Sequence, residues 1–169
     1  MPDESARHYL FVAIDRATRW VCLHIYGDMS DKSRGDFVRR LKLASPIRII
    51  KLLTDNGSQF TDLFTTKERT PSCQHTFDKV CATMDIEHRL TPPRHPQTNG
   101  IAKRFNNRIS ALLQQTRFDN FGDLEGTFLS VLRLYNHHIP QRAIGARTPI
   151  QAPQRIPAKE ANPIRKAGL

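Results

Sequence analysis

The tetrad Thr54-Asp55-Asn56-Gly57 sets a carboxylate directly after the apolar run Ile47-Arg-Ile-Ile-Lys-Leu-Leu53. Such a run reads as a strand, so Asp55 stands at the strand's carboxyl end, beside a glycine-containing turn, where a side chain can reach a ligand such as a metal ion. An Asp before Asn-Gly is also what a plain turn uses, and Asn56 and Gly57 read mainly as turn makers. Asp15 is the second carboxylate of interest. It can ligate a metal, organise the Asp15-Arg16 turn or pair with Arg19. Cys73, His75, Cys81 and His88 are zinc-ligand types, but their spacing lacks a paired C-x-x-C knuckle, and buried or solvated thiols are the expected outcome. Lys103, Arg104, Asn107, Arg108 and Gln114 fall away from the apolar stripe of one helix, where they can meet phosphate or form a solvated basic face.

The elements that must position these residues follow from periodicity. Tyr9–Ile14 is a continuous apolar run, and residues 20–26 form a second one after a short polar connection, which reads as an antiparallel hairpin with its first strand buried on both faces. Ser30 and Asp31 can cap a helix that carries Phe37, Val38 and Leu41 on one side and Arg34, Arg39, Arg40 and Lys42 as basic surface, with Pro46 ending it. Residues 47–53 are a third strand, 60–72 an irregular exposed excursion, 75–84 a helix and 86–90 a fourth strand. Pro92, Pro93 and Pro96 stiffen the chain, and residues 97–100 read as a mobile lead into a long helix bearing Ile101, Phe105, Ile109 and Leu112. A further helix is expected over residues 124–137. Alternating strands and helices indicate an α/β domain.

The chain has 169 residues, 38% of them hydrophobic, enough for one domain with a core. Lys and Arg number 26 against 16 Asp and Glu, a formal net charge of +10 that favours a polyanion such as DNA through counterion release. Three cysteines, Cys22, Cys73 and Cys81, widely spaced, with neither a secretory signal nor an apolar run of membrane-spanning length, point to a reducing cytoplasm and no membrane association.

Three segments in order carry a resemblance: residues 9–20 (Tyr-Leu-Phe-Val-Ala-Ile-Asp-Arg-Ala-Thr-Arg-Trp), 53–60 (Leu-Thr-Asp-Asn-Gly-Ser-Gln-Phe) and 95–106 (His-Pro-Gln-Thr-Asn-Gly-Ile-Ala-Lys-Arg-Phe-Asn). With residues 135–142 and Thr148-Pro149 they resemble the catalytic core of integrase-type insertion-sequence transposases, the DDE superfamily related to retroviral integrases. The resemblance covers residues 8–152 and leaves 153–169 as a basic, proline-containing tail expected to be disordered. It implies a ribonuclease-H-like mixed sheet flanked by helices, and DNA integration by cleavage and strand transfer.

Family chemistry needs two Asp and one Glu holding Mg²⁺ or Mn²⁺, because hard oxygen ligands suit such ions, and a metal pair can activate a nucleophile while stabilising the leaving oxygen. By resemblance Asp55 is the second of the three carboxylates. Lys103 takes the place of the Glu, and a cation there opposes a metal by about 4 kcal/mol per unit charge near 4 Å at an effective dielectric near 20. The first Asp belongs to a strand upstream of Tyr9 that is expected to be absent here. That strand is the central one of the family's sheet, so its absence leaves two apolar strand edges exposed. Asp15 matches an acidic position common at the end of the next strand, with a metal role only as a substitute.

By the same resemblance Gln97, Asn99, Lys103, Arg104 and Arg108 approach DNA, while the helix-turn-helix region that usually recognises sequence is expected to be absent here. The resulting expectation is a transposase-family member whose metal binding is weak or lost and which is catalytically inactive. The alternatives are a non-catalytic DNA-binding or subunit-poisoning remnant, joining copies of itself or full-length transposase subunits, and a weak nuclease using Asp55, Asp15 and a further acid.

Overall fold

The first apolar run forms β1 (Tyr9–Ile14), which turns back into β2 (Val21–Tyr26) with antiparallel register from Tyr9 opposite Tyr26 to Ile14 opposite Val21. A computed structural model describes residues 7–58, 60–62, 75–91 and 96–152, with residues 96–99 described for their backbone. The turn is closed by the Asp15 N–H donating to the Trp20 carbonyl at 2.8 Å and the Arg19 N–H donating to the Asp15 carbonyl at 2.9 Å. Arg19 adopts a left-handed φ of 65°, a conformation that costs a non-glycine residue some strain. Burial falls opposite to expectation. β2 is the buried strand, at Val21, Cys22, Leu23 and Ile25, whereas all six residues of β1 are half-buried. The physical reason is cover on both faces: β2 packs against the helices Asp31–Ala44 and Phe121–His137, whereas the main helix contact of β1 is Pro96–Gln115 alone.

Period-two alternation along β2 divides the core. Val21, Leu23 and Ile25 face Phe105, Ile109, Leu124, Phe128 and Tyr135. Trp20 and Cys22 face the other way, toward Phe37 and Leu41. These last belong to α1 (Asp31–Ala44), which starts where Ser30 Oγ accepts the Ser33 N–H at 3.3 Å and stops at Ser45, before Pro46. Phe37, Val38 and Leu41 are its buried stripe, as the spacing predicts.

β3 (Lys51–Thr54) is shorter than the apolar run that contains it. It pairs in parallel with β4 (Glu87–Leu90), Lys51 opposite Glu87 through Thr54 opposite Leu90, and residues 47–50 lie outside the ladder because β4 offers them no partner strand. The parallel pair requires a crossover, supplied by α2 (Thr76–Thr83). Phe77 and Cys81 of α2 pack with Val38 and Ile86 in a third core cluster.

α3 (Pro96–Gln115) begins earlier than expected, so residues 97–100 form its first turn and not a mobile lead. Pro96 suits that start, since its fixed φ is preset for a helix and its missing N–H would have had no helical partner. α4 (Phe121–His137) is capped by Asn120, whose Oδ1 accepts the Asp123 N–H at 2.9 Å, and a single 3-10 turn follows at Arg142–Ile144. Asn136, buried near the end of α4, clamps the hairpin: its Oδ1 accepts the Val21 N–H at 2.9 Å and its Nδ2 donates to the Val21 carbonyl at 2.8 Å. Most of the 60–72 excursion and the whole 153–169 tail lie outside the described residues.

Among the described residues the strands form two sheets of two, β1–β2 and β3–β4. Burial also governs two thiols. It pushes Cys22 up to about 11 and Cys81 up to about 12, against an ordinary value of 9.0. A raised value means less thiolate at a given pH, so at pH 8 Cys22 and Cys81 should be alkylated about 100-fold and about 1000-fold more slowly than in the unfolded chain. Peptide mapping by mass spectrometry after timed alkylation checks this, and equal rates in the native and denatured states would contradict it.

Candidate functional site

Asp55 is the first residue after β3, and it is exposed. Its Oδ1 accepts the Gly57 N–H at 3.0 Å, the geometry that the Asp-Asn-Gly spelling favours. The strand end beneath it is held by a hydrogen-bonded relay. Thr54 Oγ1 lies 2.8 Å from His88 Nε2, and His88 Nδ1 lies 2.5 Å from Asp78 Oδ1. With Asp78 accepting the Nδ1 proton, Nε2 is left as an acceptor and the Thr54 hydroxyl donates to it. The Thr54 carbonyl also accepts from both the N–H and the hydroxyl of Thr91, each at 2.8 Å. α2, β4 and β3 are thereby locked together directly under Asp55. Sequence reasoning missed this relay; the available signal was the inward alternation of His88 and Leu90 on β4.

Asp15 has a different employment. Its Oδ2 accepts both the N–H and the hydroxyl of the fully buried Thr18 at 2.6 Å. Of the roles open to Asp15 this is the organisation of its own turn, and the Asp15–Arg19 ion pair is not among the salt bridges of the described residues. The zinc types are also committed elsewhere. His75 caps α2, its Nδ1 accepting the Phe77 N–H at 3.1 Å, both ring nitrogens of His88 are engaged in the relay, and Cys81 is buried. Cys73 lies outside the described residues. Among the described residues no three His, Cys, Asp or Glu side chains are grouped so that they could hold a metal ion.

On α3, Phe105 and Ile109 are buried while Lys103, Arg104, Asn107, Arg108 and Gln114 are exposed, as the 3.6-residue period requires. The Arg108 guanidinium sits 5.5 Å from the centroid of the Tyr135 ring. Burial raises the Tyr135 phenol, opposed by the positive charges of Arg108, Arg19 and Arg104. Arg19 was not foreseen in this group; one of its guanidinium nitrogens, Nη1, is buried without a hydrogen-bond partner. Gln97 and Asn99 fall in the first turn of α3, and their side chains are outside the description.

A groove of about 1320 Å³ separates the two sheets. Its lining includes Asp15, Thr54, which precedes Asp55, and Ala102, which precedes Lys103; Asp55 and Lys103 themselves do not line it.

Two family models, each described as an integrase core domain, match residues 1–96 and 84–149. The chain belongs to the integrase core family. A protein of Spiroplasma virus SpV1-C74 described as an integrase is 25% identical over 148 residues, which is 85% of this chain and 41% of that protein. The chain thus spans less than half of that relative's length. Among solved structures, the HTLV-2 integrase catalytic core domain in complex with magnesium, in a trimeric form, superposes with a TM-score of 0.64 at 17% identity, covering 88% of this chain and 86% of that one. The simian T-cell lymphotropic virus intasome in complex with PP2A regulatory subunit B56 gamma gives 0.67 at 18% identity, over 95% and 54%. These likenesses establish a ribonuclease-H-like integrase core fold, in agreement with the α/β reading.

Within that fold Asp55 presents an exposed carboxylate at a strand end, Asp15 has its carboxylate tied to Thr18, and Lys103 brings a positive charge. Among the described residues the side chains do not group into a set that fits a two-metal centre.

Proposed function

We propose that residues 8–152 form an integrase core that keeps a DNA-facing surface and has lost strand-transfer chemistry. The observation that carries this reading is the pairing of one exposed carboxylate, Asp55, with an exposed basic helix face at Lys103, Arg104 and Arg108. Asp55 would be the family's second catalytic carboxylate, Lys103 the replacement for the family's Glu, and a cation in place of that Glu leaves Mg²⁺ or Mn²⁺ weakly bound or unbound. Contacts of Lys103, Arg104, Arg108, Gln97 and Asn99 go to the phosphate backbone and supply affinity with little sequence choice. No helix of the described residues is long and apolar enough to cross a membrane; a cytoplasmic DNA-associated protein is the proposed setting.

Fluorescence anisotropy on a labelled DNA duplex, repeated across a salt series, tests this. Binding should weaken steeply with salt, and a combined Lys103→Gln, Arg104→Gln, Arg108→Gln variant should flatten the slope of log K against log salt by up to about 2.7. Salt-insensitive binding, or a variant with the parent's slope, would exclude this face as the phosphate contact.

Association with other integrase-core subunits is a second reading, favoured by neighbours described as an intasome and as a trimeric form. Co-purification of the tagged chain with a longer relative, present or absent, decides it.

A further inference from the structure

We propose that Asn56-Gly57 is a self-modification site, at which the Asn56 side chain is converted through a cyclic imide to aspartate and isoaspartate, with Asp55 as the base. The sequence holds the dipeptide Asn-Gly twice, at 56–57 and 99–100, and the two copies have opposite backbone settings. Asn56 lies in the bend that follows β3, outside any helix or strand. Gly100 is the fifth residue of α3, past the first four, whose N–H groups lack a helical partner, so its nitrogen is held in the helix.

The reaction requires the nitrogen of the residue after an asparagine to reach the side-chain amide carbon. Glycine carries no Cβ to block that approach. Three features at 56–57 favour it beyond the dipeptide itself. Asp55 Oδ1 accepts the Gly57 N–H at 3.0 Å, so a carboxylate already sits on the proton that the nitrogen must lose. Asn56 Oδ1 is buried without a hydrogen-bond partner among the described residues, so the side chain gives up no bond at that oxygen when it swings toward Gly57. Asn56 as a whole is only half-buried, so the carboxylate that forms can turn to water. The strand end that carries Asp55 is itself fixed, because the Thr54 carbonyl accepts both the N–H and the hydroxyl of Thr91.

In the first step Asp55 takes the Gly57 amide proton while the nitrogen's electron pair attacks Cγ of Asn56. The tetrahedral carbon collapses, its bond to the side-chain nitrogen breaks, and that nitrogen leaves as ammonia with the proton returned from Asp55. The product is a five-membered imide. Water then adds to one of the two imide carbonyls. Opening at one restores the backbone with an aspartate at position 56; opening at the other gives isoaspartate, whose backbone runs through the former side chain. One water is consumed and one ammonia released, with no change of oxidation state. Either product sets a second negative charge next to Asp55, and isoaspartate also lengthens the backbone between Asp55 and Gly57, which breaks the turn that now holds the Asp55 carboxylate.

The full chain, incubated near neutral pH, then digested with trypsin and weighed by mass spectrometry, tests this. Fragments 52–67 and 95–103 each contain a single asparagine. Fragment 52–67 should gain the mass of an NH₂-to-OH exchange at least about tenfold faster than 95–103, because Gly100 must first leave its helix. Isoaspartate should be the major product, the mark of an imide. Asp55→Asn keeps an oxygen for the Gly57 N–H but removes the base, and should slow the gain by about tenfold or more while the thermal transition persists. Equal rates for the two fragments, or a slower gain in the native than in the urea-unfolded chain, would mean that the turn does not promote the reaction and would overturn the proposal. Aspartate without isoaspartate would replace the imide by direct hydrolysis, and an unchanged rate in Asp55→Asn would remove the base; either result overturns it as well.

Discussion

Asn136→Ala is expected to lower the melting temperature by about 10 °C. The side chain is buried and makes two hydrogen bonds to the backbone of Val21, which itself is fully buried. Alanine removes both partners and admits no replacement, leaving an N–H and a carbonyl orphaned, each at a cost of about 1–3 kcal/mol. The combined loss of about 3 kcal/mol converts to that shift for a domain of this size, at about 2–4 °C per kcal/mol. Asn136→Asp should do no better. It keeps an acceptor for the Val21 N–H but sets a second carboxylate oxygen against the Val21 carbonyl and buries a charge. Thermal denaturation followed by circular dichroism measures both, and a shift under about 3 °C for the alanine variant would mean that water or a backbone adjustment satisfies Val21.

That clamp marks the boundary of what sequence reasoning reaches. Asn136 and Val21 are 115 residues apart, and no local pattern connects them. Elements whose determinants are local were legible. Ser30 with the Phe37, Val38 and Leu41 stripe defines α1, and the two apolar runs around a short turn define the hairpin. Elements whose extent depends on a distant partner were not. The run at 47–53 is apolar throughout, yet only its second half becomes strand, because strand length is set by the four-residue ladder with β4. Burial of β1 failed for the same kind of reason: its sequence is that of an interior strand, while the helices that cover both faces of the hairpin, α1 and α4, pack on β2. Residues 97–100 misled in another way. Asn99-Gly100 spells a turn, but a proline preset for helix entry at 96 outweighs it, at a glycine cost of about 1 kcal/mol.

For the site, the residue types were legible and their employment only partly so. Asp55 needs no tertiary knowledge, since strand end and Asx turn are both written locally. Asp15 was left between a metal, an ion pair and its own turn, and Asp15 to Thr18 is a three-residue reach that settles in favour of the turn. The Thr54–His88–Asp78 relay joins three elements and had no motif to announce it.

Lys103→Glu provides the sharpest separation between metal binding and catalysis. If α3 carries Lys103 toward Asp55 as in the family's arrangement, the substitution changes the local charge by two units. At roughly 7 Å from a divalent ion, even at the dielectric of water, this is worth about 2 kcal/mol, or more than tenfold in affinity. Titration with Mn²⁺ followed by electron paramagnetic resonance should therefore show a saturable site in Lys103→Glu that is absent or at least tenfold weaker in the parent, and lost again in Lys103→Glu, Asp55→Ala. Strand transfer by the 169-residue chain should nevertheless stay absent in Lys103→Glu, because Asp15 holds Thr18 with the carboxylate that would have to turn to the metal. Unchanged Mn²⁺ affinity in Lys103→Glu would separate Lys103 from Asp55 and remove the carried-over Glu position. Mn²⁺-dependent nicking by the parent chain, abolished by Asp55→Ala, would instead show that a carboxylate set survives and that the core is a weak nuclease.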